Sequence, residues 1–145
     1  MDENVLNFVK QYIGDAIANY PKIPASKLNE VVEDASIRMV ESLKIAVTTD
    51  KKDGIEALLN GSDDLMMANE VRKMLESDLV ISIEEVTKLD AREATKVASS
   101  VFPVVLKRFC EAFDAESLTY LLVREYKKNG VLVGSFTCIL GGMFG

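Results

Sequence analysis

The sequence predicts an all-α protein, a compact helical domain of about six or seven helices. Three observations carry this. Apolar residues recur at three- and four-residue steps along most of the chain, helix-starting and helix-stopping residues punctuate those stretches, and no run alternates at period two over more than a few residues. With 145 residues the chain fits one domain with a single core and is too short for two ordinary ones. Its 48% apolar and 28% charged residues match a globular chain. A net charge of −6 disfavours broad attraction to phosphate backbones or anionic lipid.

The first helix occupies residues 1–20. Val5, Phe8, Val9, Tyr12, Ile13, Ala16, Ile17 and Tyr20 form one apolar stripe, which Pro21 and Pro24 end because proline cannot donate its backbone nitrogen and crowds the preceding turn. A long second helix is expected from near Ser26, with Leu28, Val32, Ala35, Met39, Leu43 and Ala46 along one face. A shorter one over 50–59 closes at Asn60-Gly61, residues that tolerate a left-handed turn. Leu65 to Leu75 gives a fourth helix, and Ser82-Ile83-Glu84-Glu85, a capping-box pattern, marks the start of a fifth.

Asp90-Ala91-Arg92-Glu93 repeats that start signal ahead of the most apolar helix, which carries Ala94, Val97, Ala98, Val101, Phe102, Val105, Leu106, Phe109 and Phe113 on more than one stripe. Pro103 lies inside it and removes one backbone bond. Asp114 caps a last helix expected to end at Asn129-Gly130, with Arg124, Lys127 and Lys128 near its negative end.

Two segments resemble each other. A shift of 63 residues lays Ile23–Leu59 on Val86–Leu122 without a gap, and Glu30/Glu93, Ala35/Ala98, Ser36/Ser99, Leu43/Leu106, Lys44/Lys107, Leu58/Leu121 and Leu59/Leu122 are identical. Each copy runs from a long helix through a short polar break into a shorter helix holding Leu-Leu. The expected organisation is a first helical repeat over 23–61 and a second over 86–129, two helical hairpins related by a pseudo-twofold axis, followed by an apolar segment over 130–145. Amphipathic hairpins share much of this plan without common descent.

The stretch LDAREATKVASSVFPVVLKRF, Leu89 to Phe109, resembles the YidB-like family of bacterial domains of unknown function, in which a Leu-Asp or Leu-Ser start leads into an Ala-rich helix and then an apolar run with an embedded proline. PASKLNEVVEDASIRMVESL followed by DGIEALL is similar to that family's upstream half, and the GGMFG ending also fits. The resemblance spans about residues 23–145, and the charged linker at 50–53 departs from the family's glycine-rich links. It implies a helical fold and a bacterial, intracellular setting. It implies no activity and no catalytic residue.

No catalytic signature stands in the chain. It has no histidine, which removes the usual general base near neutral pH and the commonest transition-metal ligand. Cys110 and Cys138 read as reduced thiols, too few for a structural zinc site, and no phosphate-binding glycine motif or nucleophile elbow is present. Asp50-Lys51-Lys52-Asp53-Gly54 has the wrong spacing for a calcium loop and reads as a helix start. Asp63-Asp64 and Glu84-Glu85 read as first-turn carboxylates, not an acid–base pair. Lys107-Arg108 and Lys127-Lys128 with Tyr126 have the composition of a nucleic-acid contact, but helix-end cations account for them equally. Met66-Met67 and Met74 read as core fillers, with an adaptable partner groove as the alternative. No enzyme activity, metal or cofactor is expected, and the absence of a leader pattern makes the cytoplasm the expected location.

The chain's last sixteen residues, GVLVGSFTCILGGMFG, hold five glycines and no charged side chain. As a helix they would span roughly 24 Å, short of the ~30 Å hydrocarbon layer. Val131, Leu132, Val133, Phe136, Ile139, Leu140, Met143 and Phe144 are the expected contact surface, docking on the domain's own core, on a neighbouring copy or other protein, or on a membrane surface. The expected function is a non-catalytic interaction or self-assembly module. A nucleic-acid-binding helical domain and a small enzyme without histidine chemistry are the alternatives.

Overall fold

The computed structural model describes residues 5–18, 20–49, 51–60 and 65–132, with the backbone alone for 65 and 125–132. Six α-helices form in order: α1 (Val5–Ile17), α2 (Leu28–Val47), α3 (Lys52–Asn60), α4 (Leu65–Thr87), α5 (Ala91–Ala112) and α6 (Ala115–Leu132), with a 3-10 turn at Ala25–Lys27 before α2. No strand occurs among the described residues, so the chain is all-α as its periodicity requires.

Several boundaries differ from expectation. α1 stops at Ile17, and Tyr20 lies in the turn that follows, its N–H donating to the Ile17 carbonyl at 3.0 Å. Pro21 disfavours helical geometry at the residue before it, which excludes Tyr20 from the helix. α2 begins at Leu28 because the 3-10 turn absorbs Ser26, and the cap residue Lys27 makes no side-chain cap bond.

The largest correction concerns the predicted helix start at Ser82. Residues 65–87 form one uninterrupted helix. Val71, Leu75, Leu79 and Ile83 stand four apart and are all buried, and neither glycine nor proline separates them, so nothing breaks the stripe. Lys88 ends α4 in the left-handed region at φ 65°, where glycine is the usual occupant.

The two remaining start signals act as read. The Asp90 carboxylate accepts the Glu93 N–H at 2.8 Å to open α5, and Asp114 accepts the Ser117 N–H at 2.7 Å to open α6. Pro103 sits within α5 on an exposed side, where the Ser99 carbonyl that loses its donor is also on the outside of the bundle.

Four helices make a ring in which α1 packs on α2, α2 on α4, α4 on α5 and α5 back on α1. Each turns its buried stripe inward. Val5, Val9, Ile13 and Ile17 of α1 answer Val71, Leu75, Leu79 and Ile83 of α4 across the ring, while Val31, Ala35, Met39 and Ala46 of α2 answer Ala94, Ala98, Phe102 and Phe109 of α5. Exchanging α1 with α4 and α2 with α5 maps this order of contacts onto itself. The 63-residue offset that aligns the sequences also relates the starts of α2 and α5, Leu28 and Ala91, and those of α3 and α6, Lys52 and Ala115. α1 precedes α2 and α4 precedes α5, one helix upstream of each hairpin read from the sequence.

α3 and α6 pack differently. α3 lies closely on α4 at Gly54, where an added Cβ would stand 2.7 Å from both the Met67 carbonyl oxygen and Val71 Cγ2. The position 63 residues on is the exposed Ser117, and α6 packs chiefly on α2 and α3 with little contact to α1.

This geometry predicts opposite outcomes for one chemical change. Gly54→Ala should destabilise by about 1–3 kcal/mol, because the methyl group enters backbone already in contact. Gly14→Ala should stabilise by about 0.5–1 kcal/mol, since the nearest atom to the new Cβ is Val32 Cγ2 at 3.8 Å and alanine is the better helix former. Urea midpoints of the two variants would check both signs.

Candidate interaction surface

The last helix starts from an aromatic corner. Phe113 meets Phe109 with ring centroids 5.1 Å apart and Phe8 of α1 edge-on at 5.3 Å, which fixes where α6 departs. Leu118 and Leu122 anchor its first half in the core. Tyr120, 64% exposed, lies on the opposite side with the Arg124 guanidinium 5.9 Å from its ring centre.

The helix does not end at Asn129-Gly130 as expected but continues to Leu132. Glycine permits a left-handed stop without requiring one, and apolar Val131 and Leu132 follow with no proline to prevent another half-turn. Val131 and Leu132 thus stand in the final turn of α6. Val133, Phe136, Ile139, Leu140, Met143 and Phe144 lie outside the described residues, as does Cys138.

Among the described residues, open grooves border the bundle, three of which bear on the site. One of about 660 Å³ lies between α3 and α6; Lys52, Glu56, Asp114 and Glu116 make it polar. A second of about 290 Å³ is lined by Ile45, Ala46 and Met74 beside Ser42. The third, about 440 Å³, lies between α4 and α5; Phe102, Pro103, Leu106 and Cys110 form its floor, and Arg72, Glu76 and Lys107 also line it.

The third groove has a counterpart that is closed. Pro103, Leu106 and Cys110 correspond at the 63-residue offset to Val40, Leu43 and Val47 of α2, which are only 3%, 2% and 6% exposed. Pro103 is exposed, and Leu106 and Cys110 are half-buried. The difference follows from neighbours. α2 packs against α1, α4, α3 and α6, whereas α5 packs substantially only against α1 and α4. α3 reaches α5 at Cys110, whose sulfur lies 4.0 Å from the Leu58 carbonyl oxygen. Burial and the Glu111 charge raise the pKa of the Cys110 thiol, so it is poorly ionised near neutral pH.

Sequence reasoning missed a polar seam between α2 and α4. Ser82, fully buried, donates its hydroxyl to Asp34 Oδ2 at 2.5 Å; Arg38 donates to the same oxygen at 2.8 Å and to Glu85 Oε1 at 2.7 Å; Ser42 donates to Asp78 Oδ2 at 2.7 Å. The available signal was spacing. Asp34, Arg38 and Ser42 stand four apart, as do Asp78 and Ser82, and these are the steps of a helix face turned toward a neighbour.

Burial pushes the Asp34 carboxyl up, but the Ser82 hydroxyl and the Arg38 guanidinium outweigh it and hold the pKa below the usual value. At Asp78 burial dominates over the Ser42 hydroxyl and Arg38, and the pKa is raised. Glu84 and Glu85 are therefore not first-turn carboxylates. They lie in the last turns of α4, where the helix dipole disfavours them, and Arg38 compensates Glu85.

The other candidates distribute as follows. Lys107 lines the α4–α5 groove, whereas Arg108 turns to α1, 3.0 Å from Asp15 and 5.0 Å from the Tyr12 ring centre, so the two cations leave α5 on different sides. Met66, 75% exposed, does not fill the core, because it falls between the buried positions of α4; Met74 packs at the core's edge. Asp53 is exposed in the first turn of α3, and Asp50, Asp63 and Asp64 lie outside the described residues. Among the described residues no group of three or more Cys, Asp or Glu is arranged to hold a metal ion, and no helix is long and apolar enough to cross a membrane.

Two stability experiments test the seam. Ser82→Ala should cost about 1–3 kcal/mol, by removing a buried donor to a carboxylate. The pH dependence runs in opposite senses at the two aspartates. The stabilisation from Asp34 is present above its unfolded pKa and is lost as pH falls through its lower folded value, whereas ionised Asp78 opposes folding until pH falls through its raised folded value. Asp78→Asn should therefore be neutral or stabilising at about pH 7, with its advantage over the parent shrinking toward about pH 4, as urea titrations at several pH values would read.

No family model, curated protein or solved structure matches the chain.

Proposed function

We propose that the chain is a non-catalytic protein-interaction or self-assembly module, acting through the apolar segment that continues from α6. The observation that carries this reading is the course of α6. Its first half is locked into the core by Leu118 and Leu122, and the helix runs on to Val131 and Leu132, directly ahead of a stretch with no charged side chain. A helix anchored at one end gives such a stretch a defined point of departure, which lowers the ordering entropy lost when it docks. Exposed Ile45, Met66, Val104 and Tyr120 add apolar surface elsewhere. The YidB-like resemblance belongs to the same proposal, with a bacterial, cytoplasmic setting and no activity of its own.

Size exclusion with light scattering tests this reading on the intact chain and on a version ending at Leu132, which preserves the whole of α6. The expected outcome is a concentration-dependent oligomer for the intact chain and a folded monomer for the shortened one. An intact chain that stays monomeric at all concentrations, or an oligomer that survives the truncation, would overturn it.

A further inference from the structure

We propose that the turn between α4 and α5 is a hinge about which α5 and α6 are exchanged between two copies of this chain. The starting observation is local. Lys88, at φ 65°, is the one non-glycine residue at positive φ among the described residues. An L-residue in this conformation sets its Cβ against the following carbonyl, a strain that glycine does not carry.

Nothing in the local sequence requires the chain to reverse here. Residues 84–93 contain neither glycine nor proline, and only residues 88–90 separate helices of 23 and 22 residues. The backbone is helical up to the turn and again after it: the Lys88 N–H donates to the Glu84 carbonyl at 2.9 Å, and the Ala94 N–H to the Asp90 carbonyl at 2.9 Å. Between these bonds, side chains stand in for helix partners. Thr87 Oγ1 accepts the Leu89 N–H at 3.2 Å, and Asp90 Oδ1 accepts the Glu93 N–H at 2.8 Å. With Lys88 in the right-handed helical region, the N–H groups of residues 89–93 meet the carbonyls of residues 85–89, and α4 and α5 become one helix. Locally the opening gives up one cap and the packing of Leu89 at the core's edge.

Two other connections offer no such opening. Pro21 and Pro24 bar a continuous helix between α1 and α2, and Phe113, between α5 and α6, has an ordinary extended backbone and is held in the aromatic corner.

An opened chain has one fitting partner. Phe102 and Phe109 of α5 and Leu118 and Leu122 of α6 are withdrawn from the core, leaving an apolar gap shaped to those side chains. A second opened copy carries the same residues in the same order. The packing of α5 on α1 and α4, and of α6 on α2 and α3, is then re-formed between chains, and the strain at Lys88 is relieved in both. The exchange is reciprocal, so it closes a pair, and short strained hinges favour such swaps.

One ion pair reports which chain supplies α5. Lys22 Nζ lies 3.0 Å from Glu93 Oε1, and the two residues stand on opposite sides of the hinge in the chain. A water-soluble carbodiimide activates the carboxyl group, the amine displaces the activated oxygen, and an amide bond forms with release of the urea. Chains grown in light and in heavy nitrogen are unfolded in urea, mixed and refolded together at high concentration. The Lys22–Glu93 cross-linked peptide should then appear with one light and one heavy arm; chains mixed only after folding give the background. Lys88→Gly should lower the mixed fraction about tenfold, because glycine relieves the closed turn and weakens a continuous helix. Asp90→Ala should raise it by removing the cap of α5. Matched arms alone after joint refolding, or a mixed fraction that neither substitution moves, would overturn the hinge. Docking of residues 133–145 on a neighbour leaves Lys22 and Glu93 of each molecule together, so this result is independent of the assembly reading above.

Discussion

The structure depends on one packing requirement: α1 and α4, each with an apolar stripe of four residues at four-residue steps, must both be enclosed between α2 and α5. A single amphipathic helix cannot bury its stripe alone, and two give a seam open along one side. Four helices in a ring bury all the stripes at once. The inward positions of α2 and α5 complete this by size, with Ala35 and Ala98 admitting close approach and Met39 and Phe102 filling the space beyond. Fully buried Leu, Ile and Val side chains contribute about 1.5–3 kcal/mol each, whereas the surface pairs Lys10–Glu33 and Lys22–Glu93 contribute about 0–1. The core holds the ring, and the charges refine it.

Within this ring the polar seam between α2 and α4 has a different purpose from the apolar stripes. Taking Asp78 out of water costs more than the Ser42 hydroxyl and Arg38 return, as its raised pKa indicates. What the seam supplies is registry. Asp34 against Ser82, and Ser42 against Asp78, are satisfied in one alignment of the two helices, and a slide by one turn would separate the buried Ser82 hydroxyl and the half-buried Asp78 carboxylate from these partners. Apolar stripes repeating every four residues tolerate such a slide far better.

The outer helices decide what surface remains. Gly54 lets α3 settle closely on α4, whereas α6, with Ser117 at the matching position, makes little contact with α1. α6 instead lies over α2 and α3, so α2 is enclosed and α5 is not. With α5 packed substantially only on α1 and α4, the α4–α5 groove faces solvent.

The sequence by itself determined the helical class, the caps at Asp90 and Asp114, and the inward faces of α1, α2 and α5, because local hydrogen bonds and the 3.6-residue period are written in neighbouring residues. It placed a false start at Ser82 because a capping box and a buried hydroxyl share one residue pattern. Only the presence of Asp34 across the interface, 48 positions away in the chain, distinguishes them. The stop assigned to Asn129-Gly130 failed for a related reason, since glycine allows a turn that the chain is free not to take. Tertiary structure alone decided which exposed apolar positions lie together. Whether Pro103, Leu106 and Cys110 are covered depends on where α3 and α6 pack, which is set by contacts between residues distant in sequence.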